Sequence, residues 1–233
     1  MNKRIWELDA LRGLMILGVV IVHLLFDLDY FLGIDVVKNP VLQYCLDRCG
    51  FLFVILSGVS VTLGRHNIRR GLQVFGCGMV ITIVTAGMYL LGMADKFIVI
   101  YFGVLHLLGV CMLLWPCFKK LPLWLLAILG ILFVALGVWM RGVRVGTFWL
   151  VPFGLVFPGF SSSDFFPLFP HLGWFLLGAS LGPLLYKEKR SHLPEKYRNN
   201  IFSRFFGFCG RNSLWIYLLH QPVLYGILML FAK

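Results

Sequence analysis

Apolar runs of roughly the length that crosses a bilayer as a helix, about 20 residues, recur along the whole chain and are separated by short polar or basic breaks. The first predicted helix runs from about Asp9 to Leu32, and a polar loop, Gly33–Gly50 with Pro40, follows it. Helix two is expected at about Phe51–Gly64; it is short, so its start is free to reach back to Leu42. The basic turn Arg65–Arg70 leads into helix three, about Leu72–Met93, and Ala94–Lys96 turns into helix four, about Phe97–Phe118. Lys119–Lys120 precedes helix five, Leu121–Met140, which carries Pro122 near its first turn, where proline is tolerated. Thr147–Phe157 is apolar but short for a span and is interrupted by Pro152 and Pro158. Gly146–Pro167 therefore reads as a re-entrant or outer-surface segment, a backbone path allowed only against protein or a cavity. Leu168–Tyr186 is the next helix, Lys187–Arg211 a basic polar stretch, and Ser213–Ala232 the last helix, with Asn212 or Ser213 as its N-cap.

The pattern predicts an all-α, polytopic transmembrane bundle of about seven spans, one domain over residues 1–233. Composition agrees: 60% of residues are hydrophobic and the mean hydropathy is +0.88, values outside the soluble range. A net charge of +11 over 233 residues raises the question of nucleic acid. The charges cluster instead in short loops, the positive-inside signature of a membrane protein. The seven-span reading puts fourteen of the 21 Lys and Arg inside, six outside, and Arg12 at the inner edge. This makes the protein a multi-pass component of the cell membrane with a cytoplasmic amino end. The run after Met1–Asp9 has no small-residue cleavage site, so helix one is expected to stay. Cys45 and Cys49 flank the first loop and form either a disulfide or two thiols; the six cysteines show no metal spacing.

Helix one carries the sharpest chemistry. Asp9, Arg12, His23 and Asp27 fall near one helical face, with His23 roughly 16 Å along the axis from Arg12. An ionisable group in hydrocarbon costs on the order of 3 kcal/mol, so this face must line a bundle interior or a wet cavity. His23 and Asp27 are four apart, hence neighbours. A carboxylate that orients an imidazole is the arrangement of general-base catalysis; the bland alternative is a buried His bonded to another helix and an Asp facing water. Asp9 and Arg12 either pair locally or let Arg12 meet an anionic or carbonyl group from the cytoplasm.

The remaining candidates each have a plain reading beside them. His220, in LLHQP with Pro222 free to kink the helix, is a cavity-wall or a satisfied bundle histidine. His106 lies between Gly103 and Gly109, which let helices approach, and reads as a packing residue. Asp164 and His171 bracket FFPLFP and either bind a polar acceptor at the outer mouth or serve turn chemistry. Arg65, His66, Arg69 and Arg70 are a topology signal facing anionic lipid, or a phosphate clamp for a nucleotide-bearing donor. There is no Walker loop, GxGxxG, metal-ligand cluster or haem motif. The chemistry expected is acid–base or acyl transfer without a metal.

Five stretches, in order, resemble one family. They are ELDALRGLMILGVVIVHLLFDL, FLFVILSGVSVTLGR, YFGVLHLLGV, SSSDFFPLFPHLGWFLLGASLG and GRNSLWIYLLHQPVLYGIL. They look like the bacterial members of the heparan-alpha-glucosaminide N-acetyltransferase catalytic domain family. Helix one also resembles that of integral membrane acyltransferases such as O-antigen acetylases, whose arginine and histidine have the spacing of Arg12 and His23. The resemblance implies transfer of an acyl group, typically acetyl, from cytoplasmic acyl-CoA (acetyl-CoA as co-substrate) to a sugar amine or hydroxyl beyond the membrane. It implies His23 as the catalytic histidine with Arg12 in support. The lysosomal branch has asparagine at the place of His23 and a histidine just after helix one. Gly33–Gly50 contains no His, so either His23 acts or the chemistry is lost.

The expected mechanism is direct: His23, oriented by Asp27, takes the acceptor's proton as it attacks the thioester, and Arg12, His106 or His220 donates to the oxyanion. An acyl-histidine relay is the variant. The partners expected are the lipid bilayer, acyl-CoA and a glycan or amino-sugar acceptor, with no nucleic acid; a homo-oligomer is compatible with the sequence. Two readings of other classes stand beside it, a small proton-coupled transporter or flippase and an inactive membrane scaffold. No repeated halves with broken helices, the mark of many transporters, are visible.

Overall fold

The structure is a computed structural model describing residues 5–33 and 40–231, with the side chains of all of these but 30–32, 40–49, 229 and 231. The architecture is all-helical, with no named strand among the described residues. In chain order the helices are α1 (Trp6–Leu32), α2 (Pro40–Leu63), α3 (Asn67–Leu90), α4 (Val104–Phe118), α5 (Leu123–Trp139), α6 (Leu168–Leu185), the short α7 (Glu195–Arg198), α8 (Ile201–Arg211) and α9 (Ser213–Phe231). Among them Trp6–Asp29, Asn67–Leu90 and Leu168–Leu185 are long and apolar enough to cross a membrane; Gly50–Leu63, Val104–Phe118, Leu123–Trp139 and Ser213–Leu228 are shorter apolar helices. Large apolar side chains stand exposed along them, among them Ile21, Val80, Ile83, Ile131 and Leu132. Lipid, not water, suits such a surface. The protein is a polytopic membrane helix bundle.

The chain divides into two compact units, Met1–Leu56 with Tyr186–Lys233, and Ser57–Leu185. In the first unit α8 lies on α1 at two glycines. A Cβ placed on Gly13 would fall on the Phe206 carbonyl and 2.9 Å from the Gly210 nitrogen; one on Gly210 would fall on the Asp9 carbonyl and 2.9 Å from the Gly13 nitrogen. Backbone thus meets backbone, the contact that small residues permit in membranes. α9 continues from α8 with a break only at Asn212, whose carbonyl accepts from the Ile216 N–H. Further along, α9 meets α1 at His23 and Gln221. Glu7 ties the start of α1 to the segment before α8: its carboxylate accepts from the Ser191 hydroxyl at 2.6 Å and the His192 N–H at 2.8 Å.

In the second unit α3 packs on α4 and α5 on α6, again through small residues. A Cβ on Gly109 would meet the Phe75 backbone, and one on Gly173 the Gly130 carbonyl. The end of α2 closes on α6, where Gly58 faces the Phe175 carbonyl.

Several boundaries differ from those the pattern predicts. α2 begins at Pro40, a residue suited to a helix's first position, so the first loop is shorter than Gly33–Gly50. Cys45 and Cys49, and with them the disulfide expectation, fall outside the described side chains, as Lys3 and Arg4 fall outside the described residues. α3 starts at Asn67, whose side-chain amide donates to the Val61 carbonyl at 2.9 Å and closes a turn of only Gly64–His66; Arg69 and Arg70 are therefore helical. Helix four is a 3-10 turn at Lys96–Ile98 and then α4 from Val104, because Gly103 interrupts the helical path. The polar stretch Lys187–Arg211 contains α7 and α8; its basic residues hide a helical period in which Phe202, Phe205 and Phe208 share one exposed face. Gly146–Pro167 holds a 3-10 turn at Phe148–Phe153 and irregular backbone, with no spanning helix, and residue 169 kinks the start of α6.

Candidate active site

α1 and α9 bring together the two histidines that the sequence singles out at opposite ends of the chain. The ring centroids of His23 and His220 lie 4.9 Å apart, tilted by 59°. Gln221 of α9 stands beside His23. Its amide nitrogen is 2.9 Å from His23 Nδ1. An amide nitrogen donates and does not accept, so this bond runs from Gln221 to the ring. His23 Nδ1 is then an acceptor, and the neutral ring carries its proton on Nε2. An amide from another helix thus holds the histidine of the i,i+4 pair on α1.

His220 has the opposite tautomer. Its Nδ1 sits 2.6 Å from the Tyr217 carbonyl, one turn back along α9. A carbonyl accepts only, so Nδ1 bears the proton and Nε2 the lone pair. Pro222 supplies no N–H to its own helix, and α9 remains helical through it. Two polar atoms of this cluster, His220 Nε2 and Asp27 Oδ2, are buried without a hydrogen-bond partner among the described residues. Asp27 is 6% and His220 8% exposed. An unmet buried acceptor costs about 1–3 kcal/mol, so two in one place are a feature of the site to be explained.

Arg12 does not join this cluster. It pairs with Asp9 at 3.2 Å, three residues away on α1. Cys209 of α8 is buried, and burial pushes its thiol above the ordinary value, which makes it inert.

The second unit contains a pocket of about 730 Å³ where α2 ends and α3 begins. Arg65, His66 and Arg69 line it from the turn and the first turn of α3, and Lys119 from the end of α4, over an apolar wall that includes Trp115 and Leu126. Arg70 is not among its lining residues. The positive end of α3 adds to three cations here, which is an anion site by charge and by geometry. Its volume falls in the range of pockets for small molecules and cofactors.

The other predicted site residues have partners close by in the fold. His106 is buried in the first turn of α4, not in its middle. Its Nδ1 accepts from the Gly103 N–H at 3.2 Å, and its Nε2 lies 3.2 Å from Thr82 Oγ1. Asp164 Oδ2 accepts from the Val104 N–H at 3.1 Å, so these two side chains satisfy amides that the start of α4 leaves open. His171 Nδ1 donates to the Pro167 carbonyl at 2.8 Å. Among the described residues no group of His, Cys, Asp and Glu has metal-site geometry.

Residues 4–222 match the family model for heparan-alpha-glucosaminide N-acetyltransferase, catalytic. The chain belongs to this family. No curated protein and no solved structure matches it. The family is one of membrane acetyltransferases. Sequence reading missed two contributors. Gln221 was in view beside His220, but nothing in its position says that it faces helix one. Lys119 read as a topology marker, because its approach to the α3 start depends on how α4 packs.

Proposed function

We propose that this protein is a membrane-embedded acyltransferase that moves an acyl group, typically acetyl, from acyl-CoA to a sugar amine or hydroxyl on the far side of the membrane. The observation that carries the reading is the His23–Gln221 bond with Asp27 and His220 beside it, in a chain whose family transfers acetyl groups. Acyl transfer to an amine or hydroxyl needs a lone pair to take one proton and donors to stabilise the oxyanion. Imidazoles of opposite tautomer supply both kinds of group.

The pocket at Arg65, His66, Arg69 and Lys119 is the proposed seat of the donor's phosphates, with acetyl-CoA as co-substrate. Three cations and a helix N-terminus suit phosphate oxygens, and the apolar wall suits the adenine or pantetheine portion. With the basic side inward, as positive charge usually lies, the amino end is cytoplasmic in the cell membrane and acyl-CoA enters from there. Arg12, held by Asp9 at the end of α1 nearest α8, is a positioning element of that inner edge.

The test is acetyl-CoA binding by calorimetry on purified protein in detergent, wild type beside Arg65→Ala/Arg69→Ala, followed by radiolabelled acetyl transfer to a panel of amino sugars. Saturable binding weakened at least 30-fold by the double substitution, with transfer by the wild type, supports the reading. Folded protein that neither binds at millimolar acetyl-CoA nor transfers, while it takes up solute when a pH gradient is applied in proteoliposomes, replaces it with a transporter.

A further inference from the structure

We infer that His220 Nε2, not His23, is the atom that takes the acceptor's proton, and that Gln221 sets His23 as the hydrogen-bond donor of the pair. This assignment rests on the acyltransferase reading and goes beyond it by dividing the work between two residues on different helices.

The argument is one of valence. A general base must present a free lone pair to the proton that it removes. His23 has one lone pair in its neutral form, on Nδ1, and the Gln221 amide occupies it at 2.9 Å. What His23 has left is Nε2–H, a donor. His220 is the reverse: Tyr217 occupies its N–H at 2.6 Å, and its lone pair on Nε2 is buried with no partner among the described residues. Asp27 Oδ2 is the other unmet atom, and it too is an acceptor. Two open acceptors in one buried cluster fit a ligand that arrives with donors, the hydroxyl or amine of an acceptor molecule.

The step balances as follows. The acceptor's O–H, or the N–H of its neutral amine, loses its proton to His220 Nε2 and gives an imidazolium whose other N–H stays on Tyr217. The acceptor's oxygen or nitrogen forms a bond to the thioester carbonyl carbon, and the C–S bond breaks. His23 Nε2–H donates to the carbonyl oxygen while negative charge gathers there. The imidazolium returns its proton to the departing thiolate, so acyl-CoA and acceptor become acylated acceptor and free CoA with no other reactant. Gln221 touches no reacting atom; it is a positioning residue that fixes the His23 tautomer.

Two measurements on the full-length protein test this. In ¹⁵N-histidine NMR in micelles, assigned with His23→Gln and His220→Gln, His220 is expected as the Nδ1–H tautomer and His23 as Nε2–H. The opposite pair overturns the assignment whether or not the protein is active. In the transfer assay with acetyl-CoA, His220→Ala is expected to lower kcat about 10²- to 10⁴-fold, to leave acetyl-CoA binding unchanged, and to regain part of its rate with added imidazole. His23→Ala is expected to lose rate without rescue, because imidazole in solution does not restore an oriented donor. Rescue of His23→Ala and not of His220→Ala returns the base to His23. Full activity in folded His220→Ala or His220→Gln removes His220 from the chemistry. A wild type that shows the expected tautomers but transfers nothing rejects the acyltransferase reading, and with it the proton-accepting role.

Discussion

Substituting alanine at Gly13 tests how α1 is held against α8, and through that contact the geometry of the histidine pair. A Cβ at Gly13 lies 2.7 Å from the Phe206 carbonyl carbon, against 3.4 Å for ordinary contact, so the two backbones must part by at least about 0.7 Å. Overpacking of this kind costs about 1–3 kcal/mol. Alanine also gains about 0.5–1 kcal/mol over glycine inside a helix, which leaves a net loss of about 0–2.5 kcal/mol. Gly18, five residues on in the same helix, has nothing within 4 Å of its Cβ position, so Gly18→Ala keeps the gain alone. The difference between the two variants cancels the helix term and isolates the contact at about 1–3 kcal/mol. A shift of about 0.7 Å carried along α1 would stretch the 2.9 Å His23–Gln221 bond to about 3.6 Å, beyond hydrogen-bond range. Gly13→Ala should therefore lose activity as well as stability. Unfolding in mixed micelles with increasing dodecyl sulfate, followed by tryptophan fluorescence, gives both free energies. Equal effects of the two substitutions, or a stabilising Gly13→Ala, would refute the backbone contact.

Other outcomes follow from single contacts. Arg65→Ala and Arg69→Ala should each weaken acetyl-CoA binding by about 10- to 100-fold, the 1.5–3 kcal/mol of a hydrogen bond to a charged group, and Arg70→Ala by much less; calorimetry in detergent reads all three. Glu7→Gln keeps shape but loses the charged acceptor of Ser191 and His192, and should destabilise by about 1–3 kcal/mol in the same unfolding assay, with faster cleavage in the 187–200 region by added protease. Asp164→Ala removes an acceptor at the start of α4 and should cost about 0.5–2 kcal/mol.

The apolar helices were legible because hydropathy in a membrane protein is a strong signal over about 20 residues, although only three of them, among the described residues, are long and apolar enough to cross a membrane. His23 and His220 stood out for the same reason, as polar interruptions where lipid tolerates few. The boundaries were less legible where local bonds override composition. Asn67 closes a turn onto Val61 and lets α3 begin inside the basic run, and Gly103 stops an apolar stretch that hydropathy alone would continue. α8 was hidden because its charges mask its period. The role of Gln221 was not legible at all, since facing between α1 and α9 is a property of packing that one sequence does not carry. His106 shows the reverse error: its burial among glycines suggested a mid-helix packing residue, and it is a cap, because the helix starts later than the apolar run does.

The central claim is that this chain transfers acyl groups by means of its paired histidines. The most direct measurement is transfer of ¹⁴C-acetyl from acetyl-CoA to an amino sugar by purified protein in sealed liposomes, wild type beside His23→Ala and His220→Ala, each shown to be folded. The account predicts labelled product with the wild type and a loss of at least about 10²-fold in both variants. Transfer that survives in either variant, or none in the folded wild type with any amine or hydroxyl sugar, would contradict it.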